Sequence, residues 1–194
     1  MKLLDQIESK NGFVLPAAYR ELAESSLLNE DFYLPDGYLM AVEEVASFSW
    51  DDHLPAVDGL VPFARNGAGE HYCWYVPKQT SNGETTVVLA MPGCKAPFFA
   101  PSFGGMVFRD AVIWYSMMAN DDEDYEALPN VLKLIEGRGP DVWCETLRGL
   151  KDLPAKADRF HQPCLYTEED MDVLFGDLFG AEYVTEELEW QVLD

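Results

Sequence analysis

The clearest pattern along the chain is a set of period-two segments between Leu60 and Met91. Leu60 to Phe63 is apolar; Asn66, Gly67, Ala68 and Gly69 interrupt the run; Tyr72, Trp74 and Tyr75 follow in a second one. Asn and Gly adopt positive φ at little cost, so the backbone is expected to reverse between Arg65 and Glu70. Successive strand side chains point oppositely, which puts Glu70, Tyr72, Trp74 and Val76 on one face and His71, Cys73 and Tyr75 on the other. Bulk on both faces predicts a central strand covered on both sides. Asn82-Gly83 then precedes the β-branched run Thr85 to Met91, which predicts a second reversal and a third strand. An antiparallel meander is the expected organising sheet.

Helical spacing brackets this meander. Leu3, Leu4 and Ile7 predict a short helix ended by Asn11-Gly12, and Tyr19, Leu22 and Ala23 a second one opened by Pro16. Phe32 to Met40, broken by Pro35-Asp36-Gly37, reads as an edge strand containing a turn, and Ala41 to Phe48 as a weak helical turn. Lys95 to Pro101 reads as a second edge strand, and the nearly continuous apolar run Met106 to Met118 as a helix packed on several sides. Val131, Leu132 and Ile135 predict a further helix before Gly137 and Gly139-Pro140, while periodicity does not decide Asp141 to Leu150. Thr167 is placed to cap a helix that carries Glu168, Glu169 and Asp170 in its first turn and Met171, Leu174, Phe175 and Leu178 on its inner face. The tail from Glu182 alternates acidic and apolar residues, suited to adding a strand or meeting a partner.

Composition narrows the function classes. Asp and Glu outnumber Lys and Arg 35 to 13 for a net charge of −22, which disfavours direct nucleic-acid or membrane binding and favours a cationic partner. No apolar run is long enough to cross a bilayer and Met1 to Lys10 does not read as a signal peptide, so a cytoplasmic location is expected. Cys73, Cys94, Cys144 and Cys164 form no CxxC pair and read as free thiols. Asp51-Asp52-His53 and the acidic run from Asn120 to Glu126 lack the geometry of a metal or EF-hand site and read as solvated loops. There is no GxSxG elbow, P-loop, dinucleotide fingerprint or HExxH helix, so no catalytic residue, cofactor or metal is assigned. The enzyme alternative is a small-molecule hydrolase or transferase using His53, His71 or His161 in a cleft beside the sheet, with Cys73 or Cys164 as a nucleophile.

Two short motifs in order carry a family resemblance. Gly12, Leu15, Pro16 and Tyr19 resemble the LP-xx-Y opening of the SUKH superfamily, which includes cell-wall regulators of the Smi/Knr type and bacterial toxin-immunity proteins. Val61, Pro62 and Phe63, with Asn66, Gly67, Gly69, Glu70 and Tyr72, resemble that family's apolar-Pro-apolar strand, Gly-rich turn and following acidic and aromatic residues; Glu70 stands where Asp is usual. The resemblance spans about residues 3–118. It implies an α+β fold, a central mainly antiparallel sheet flanked by helices, and a binding role without a shared catalytic constellation. With a helical extension over about 120–194, residues 1–194 are expected to form a single domain. The resemblance and the charge together point to a basic polypeptide toxin, such as a nuclease, or another protein as partner. Asp51, Asp52, Glu70, Asp121, Asp122 and Asp124 are the expected contacts, and the oligomeric state is left open.

Overall fold

The two reversals expected from Asn and Gly both form in a computed structural model, which describes residues 2–25, 33–34, 37–50, 57–91, 96–117, 125 and 128–188. Strand β3 (Leu60–Asn66) turns into β4 (His71–Gln79) through Gly69 at φ 82°, and β4 turns into β5 (Thr85–Ala90) through Gly83 at φ 85°. Asn66 builds the first turn: its side-chain oxygen accepts from the amides of Ala68 at 3.1 Å and Glu70 at 3.0 Å. The meander continues into β6 (Ala96–Ala100), and β1 (Tyr33–Leu34) and β2 (Gly37–Leu39) extend it beyond β3. Every described ladder is antiparallel.

Pro62 lies inside β3, where it has no amide to give to the ladder. The register accommodates it with an irregularity: Pro62 faces Cys73 and Ala64 faces Tyr72, leaving Phe63 without a β4 partner. Phe63 instead gives its carbonyl to the Met40 amide at 2.9 Å, and its ring stacks on Trp74 at 4.2 Å. Such bulges re-aim a side chain.

The sheet's two faces meet two apolar clusters. Tyr72, Trp74 and Val87 face the larger one, with α1 (Leu3–Asn11), α2 (Ala17–Glu24) and α4 (Phe103–Met117). Cys73 and Val88 face the smaller one, which Trp50, Tyr75 and Leu188 partly cover. Tyr19 brings the two motifs together, standing edge-on to Trp74 at 4.7 Å and to Phe63 at 6.1 Å. Arg20 is half-buried and ties α2 to α1 through Glu8 at 2.7 Å. The weak turn after β2 is α3 (Val42–Ser47).

Several expectations change. Helix α4 starts at Phe103, not Met106, with Gly104 and Gly105 in its first turn. The Ser102 hydroxyl oxygen accepts the Gly105 amide at 3.0 Å, and a side chain at Gly105 would press on Pro101 at 3.2 Å and Trp143 at 3.3 Å. Close packing explains the glycine despite its poor helix propensity. Helix α5 (Leu128–Ile135) buries Leu134 more deeply than the expected Leu132. The undecided stretch is α6 (Asp141–Gly149), followed by a 3-10 turn over Leu150–Asp152.

The extension is not wholly helical. Strands β7 (Lys156–Ala157) and β8 (Pro163–Cys164) form a small hairpin before α7 (Glu168–Phe179). The Thr167 cap forms as expected, reciprocated by Asp170, but only Phe175 of the expected stripe is fully covered. After α8 (Glu182–Thr185), β9 (Glu187–Leu188) pairs with β6. The edge strand expected at Lys95 to Pro101 is therefore not the edge.

Candidate functional site

Of the six acidic residues expected to meet a partner, Glu70 alone lies among the described residues; Asp51, Asp52, Asp121, Asp122 and Asp124 lie outside them. Glu70 closes the β3–β4 turn, where its carboxylate accepts the Asn66 side-chain amide at 2.6 Å. Part of its role is thus to stiffen the turn.

Glu70 borders a group that spacing alone did not single out. The turn pairs Arg65 with His71, and the register continues sideways to Tyr38 on β2 and Ala90 on β5. Paired residues share a face, so Tyr38, Arg65 and His71 form one row across the sheet. Trp50 and Phe48 close over it: Trp50 meets His71 at 5.6 Å, Phe48 meets His71 at 5.5 Å, and the two rings meet each other at 5.0 Å, all edge-on. Lys10 fixes the approach by donating to the carbonyls of Ala46 at 3.2 Å and Phe48 at 3.0 Å. Tyr38 is 43% exposed, and Phe48, Trp50, Arg65, Glu70 and His71 are half-buried.

Arg65 Nε donates to His71 Nε2 at 3.1 Å, so the imidazole is neutral with its proton on Nδ1. Burial first, and the Arg65 charge second, hold its pKa below the ordinary value of 6.5. A ring whose Nε2 accepts an arginine N–H offers that nitrogen to no substrate proton. Burial also pushes the Cys73 thiol well up, and its sulfur lies 3.6 Å from the His71 carbonyl, so neither an activating base nor a low thiol pKa marks a nucleophile. His161 sits apart, in the loop between β7 and β8. Among the described residues no set of three His, Cys, Asp or Glu side chains is arranged to hold a metal ion. What the row offers is a contact surface of the residue types that anchor protein interfaces, Tyr, Trp and Arg.

The motif residues Leu15, Pro16, Tyr19, Pro62 and Tyr72 are buried, whereas Gly67 and Gly69 sit exposed at the turn. The Tyr72 hydroxyl donates to the Asp110 carboxyl at 2.6 Å, joining β4 to α4. Residues 2–109, more than half of the chain, match the model of the SMI1 / KNR4 family (SUKH-1). The chain belongs to the SUKH-1 family. No curated protein and no solved structure matches it. SUKH domains are associated with toxin immunity or cell-wall regulation, are generally non-enzymatic and imply a protein partner. Among the described residues of this SUKH-1 chain, no helix is long and apolar enough to cross a membrane.

Signals for the row were partly present. A reversal was expected between Arg65 and Glu70, whereas the turn closes with the Asn66 amide on the Glu70 carbonyl at 3.1 Å and so pairs Arg65 with His71. Nothing local predicts that Trp50 folds over His71.

Proposed function

We propose that this SUKH-1 chain is a non-enzymatic, cytoplasmic immunity protein that neutralises a basic toxin, such as a nuclease, by direct contact. The observation that carries this reading is the net charge of −22 on a chain of this family. An acidic surface steers a cationic partner into contact and competes for the phosphate-binding groups of a nuclease. The half-exposed Tyr38, Arg65 and Trp50 beside Glu70 provide the anchoring side chains such a contact needs. Residues 1–194 are proposed to act as one folded unit, with Asp51, Asp52, Asp121, Asp122 and Asp124 adding charge around it.

The test is capture of bound protein from the native cell, identified by mass spectrometry, followed by association kinetics with that protein. Charge reversal of Asp121, Asp122 and Asp124 should slow association, and added salt should slow it further in the wild type. Salt-independent binding that these reversals leave untouched would remove the charge assignment. Turnover of a small molecule lost in His71→Gln would instead favour the hydrolase or transferase reading.

A further inference from the structure

We propose that the C-terminal extension carries a second contact site, a groove that takes an extended cationic segment of a partner protein through one inserted apolar side chain. It rests on the reading above that the partner is a basic protein, and adds where and how such a protein is held.

The groove, of about 610 Å³, lies between the end of α4, the β7–β8 hairpin and the start of α7. All of its lining residues fall between Ser116 and Met171, outside the family-matched residues 2–109.

Its walls are fixed. The buried Ser116 hydroxyl donates to the Tyr166 carbonyl at 3.0 Å and accepts the Tyr166 amide at 2.8 Å, which clips the segment between β8 and α7 to α4. Asp158 locks the hairpin loop by accepting the amides of Phe160 at 2.8 Å and Gln162 at 2.7 Å. Lys156 joins the hairpin to α7 through Asp170 at 2.7 Å. Held this way, Phe160 at 66% exposure and Met117 at 50% exposure both line the groove. A preorganised site loses little freedom when occupied.

Charge selects the occupant. Asp158, Glu168 and Glu169 line the groove against a single base, Arg159, which pairs with Glu168 at 3.2 Å. The first turn of α7 attracts no anion, because its acidic residues and the Thr167–Asp170 cap already occupy the positive end of the helix. Arg159 already lies over the Phe160 ring at 4.9 Å, so a lysine- or arginine-bearing segment meets the carboxylates on the rim, Glu169 above all, and sets its apolar side chain beside Met117 and Phe160.

The test is NMR on the full 15N-labelled chain with two short synthetic peptides, one alternating lysine with phenylalanine, the other alternating glutamate with phenylalanine. The lysine peptide should shift amide signals at 116–117 and 157–171, and the glutamate peptide should not. Phe160→Ala should weaken binding about tenfold, as loss of a central aromatic anchor does, and Phe160→Leu should restore most of it. Glu169→Lys should weaken binding more than Glu145→Lys, a control on α6. Shifts spread over the whole acidic surface, or equal affinity for Phe160→Ala, would overturn the groove. Groove binding of the peptide with no basic protein captured from the native cell leaves the groove standing and removes the toxin reading. Capture of a basic protein with unchanged affinity in Phe160→Ala does the reverse.

Discussion

The Arg109 guanidinium donates to the Tyr183 carbonyl at 2.7 Å, across 74 positions of chain. The same nitrogen donates to the Phe99 carbonyl at 2.9 Å, and the group lies over the rings of Phe99 and Phe175. Arg109, in the middle of α4, thus ties the last matched residue of the family model to the segment around α8, beside the β6–β9 pairing. Arg109→Met keeps the apolar stem but loses both bonds, and should cost about 1.5–3 kcal/mol, the range for hydrogen bonds to a charged group. Hydrogen exchange should rise at 182–188 and stay slow in β3, β4 and β5. Arg109→Lys should recover little, since a compact ammonium cannot lie flat on both rings. Unchanged exchange at 182–188 in Arg109→Met would discard this anchor.

His71 sets a pH dependence. Folding lowers its pKa below the ordinary 6.5, chiefly by burial and then by Arg65. As pH falls, the unfolded chain takes up this proton before the folded chain does. The stability held above about pH 6.5 is therefore lost as pH drops through the lower folded value. NMR titration should place the His71 midpoint below 6.5, and Arg65→Gln should raise it only part of the way, because burial is the larger cause. His71→Gln should flatten the stability curve in that window. A midpoint at or above 6.5 would falsify this account.

Tyr19 separates packing from polarity. Its ring fits among Trp74, Phe63 and Phe103, and its buried hydroxyl has no hydrogen-bond partner among the described residues. Tyr19→Ala should cost about 3–5 kcal/mol, as for other large aromatic truncations. Tyr19→Phe removes only an unsatisfied polar group and should gain about 1 kcal/mol in denaturant unfolding. A large loss in Tyr19→Phe would show that the hydroxyl, not the ring, is what the motif retains.

Adjacent glycines should respond oppositely. A side chain at Gly104 meets its nearest atom at 3.5 Å, an ordinary contact, so Gly104→Ala should gain about 0.5–1 kcal/mol from helix propensity. At Gly105 the added carbon presses on Pro101, Trp143 and Ala100 at 3.2, 3.3 and 3.4 Å, so Gly105→Ala should lower the melting temperature. Equal gains at both positions would mean that Trp143 yields freely.

The meander, its two turns and the capped α7 were legible because each is written in neighbouring residues. Asn66 and Gly69 shape the β3–β4 turn through their own backbone, Thr167 caps with Asp170 three positions on, and strand alternation sorts Trp74 from Cys73. The family motifs were legible in the same way, as short strings. In the candidate site the reversal was legible, but its register was not: the turn closes on Asn66 and Glu70 and pairs Arg65 with His71.

Contacts between distant parts of the chain were not legible. Propensity opposed a helix through Gly104 and Gly105, yet Pro101 and Trp143 need the space that Gly105 leaves. Trp50 over His71, Arg109 under Tyr183, β9 along β6 and the groove beside Phe160 all join residues that no local window contains. Periodicity tells which face of a segment is buried and turn chemistry tells where it reverses. Which buried face meets which depends on how side-chain volumes fit once the whole chain is closed, so it was decided in the tertiary structure alone.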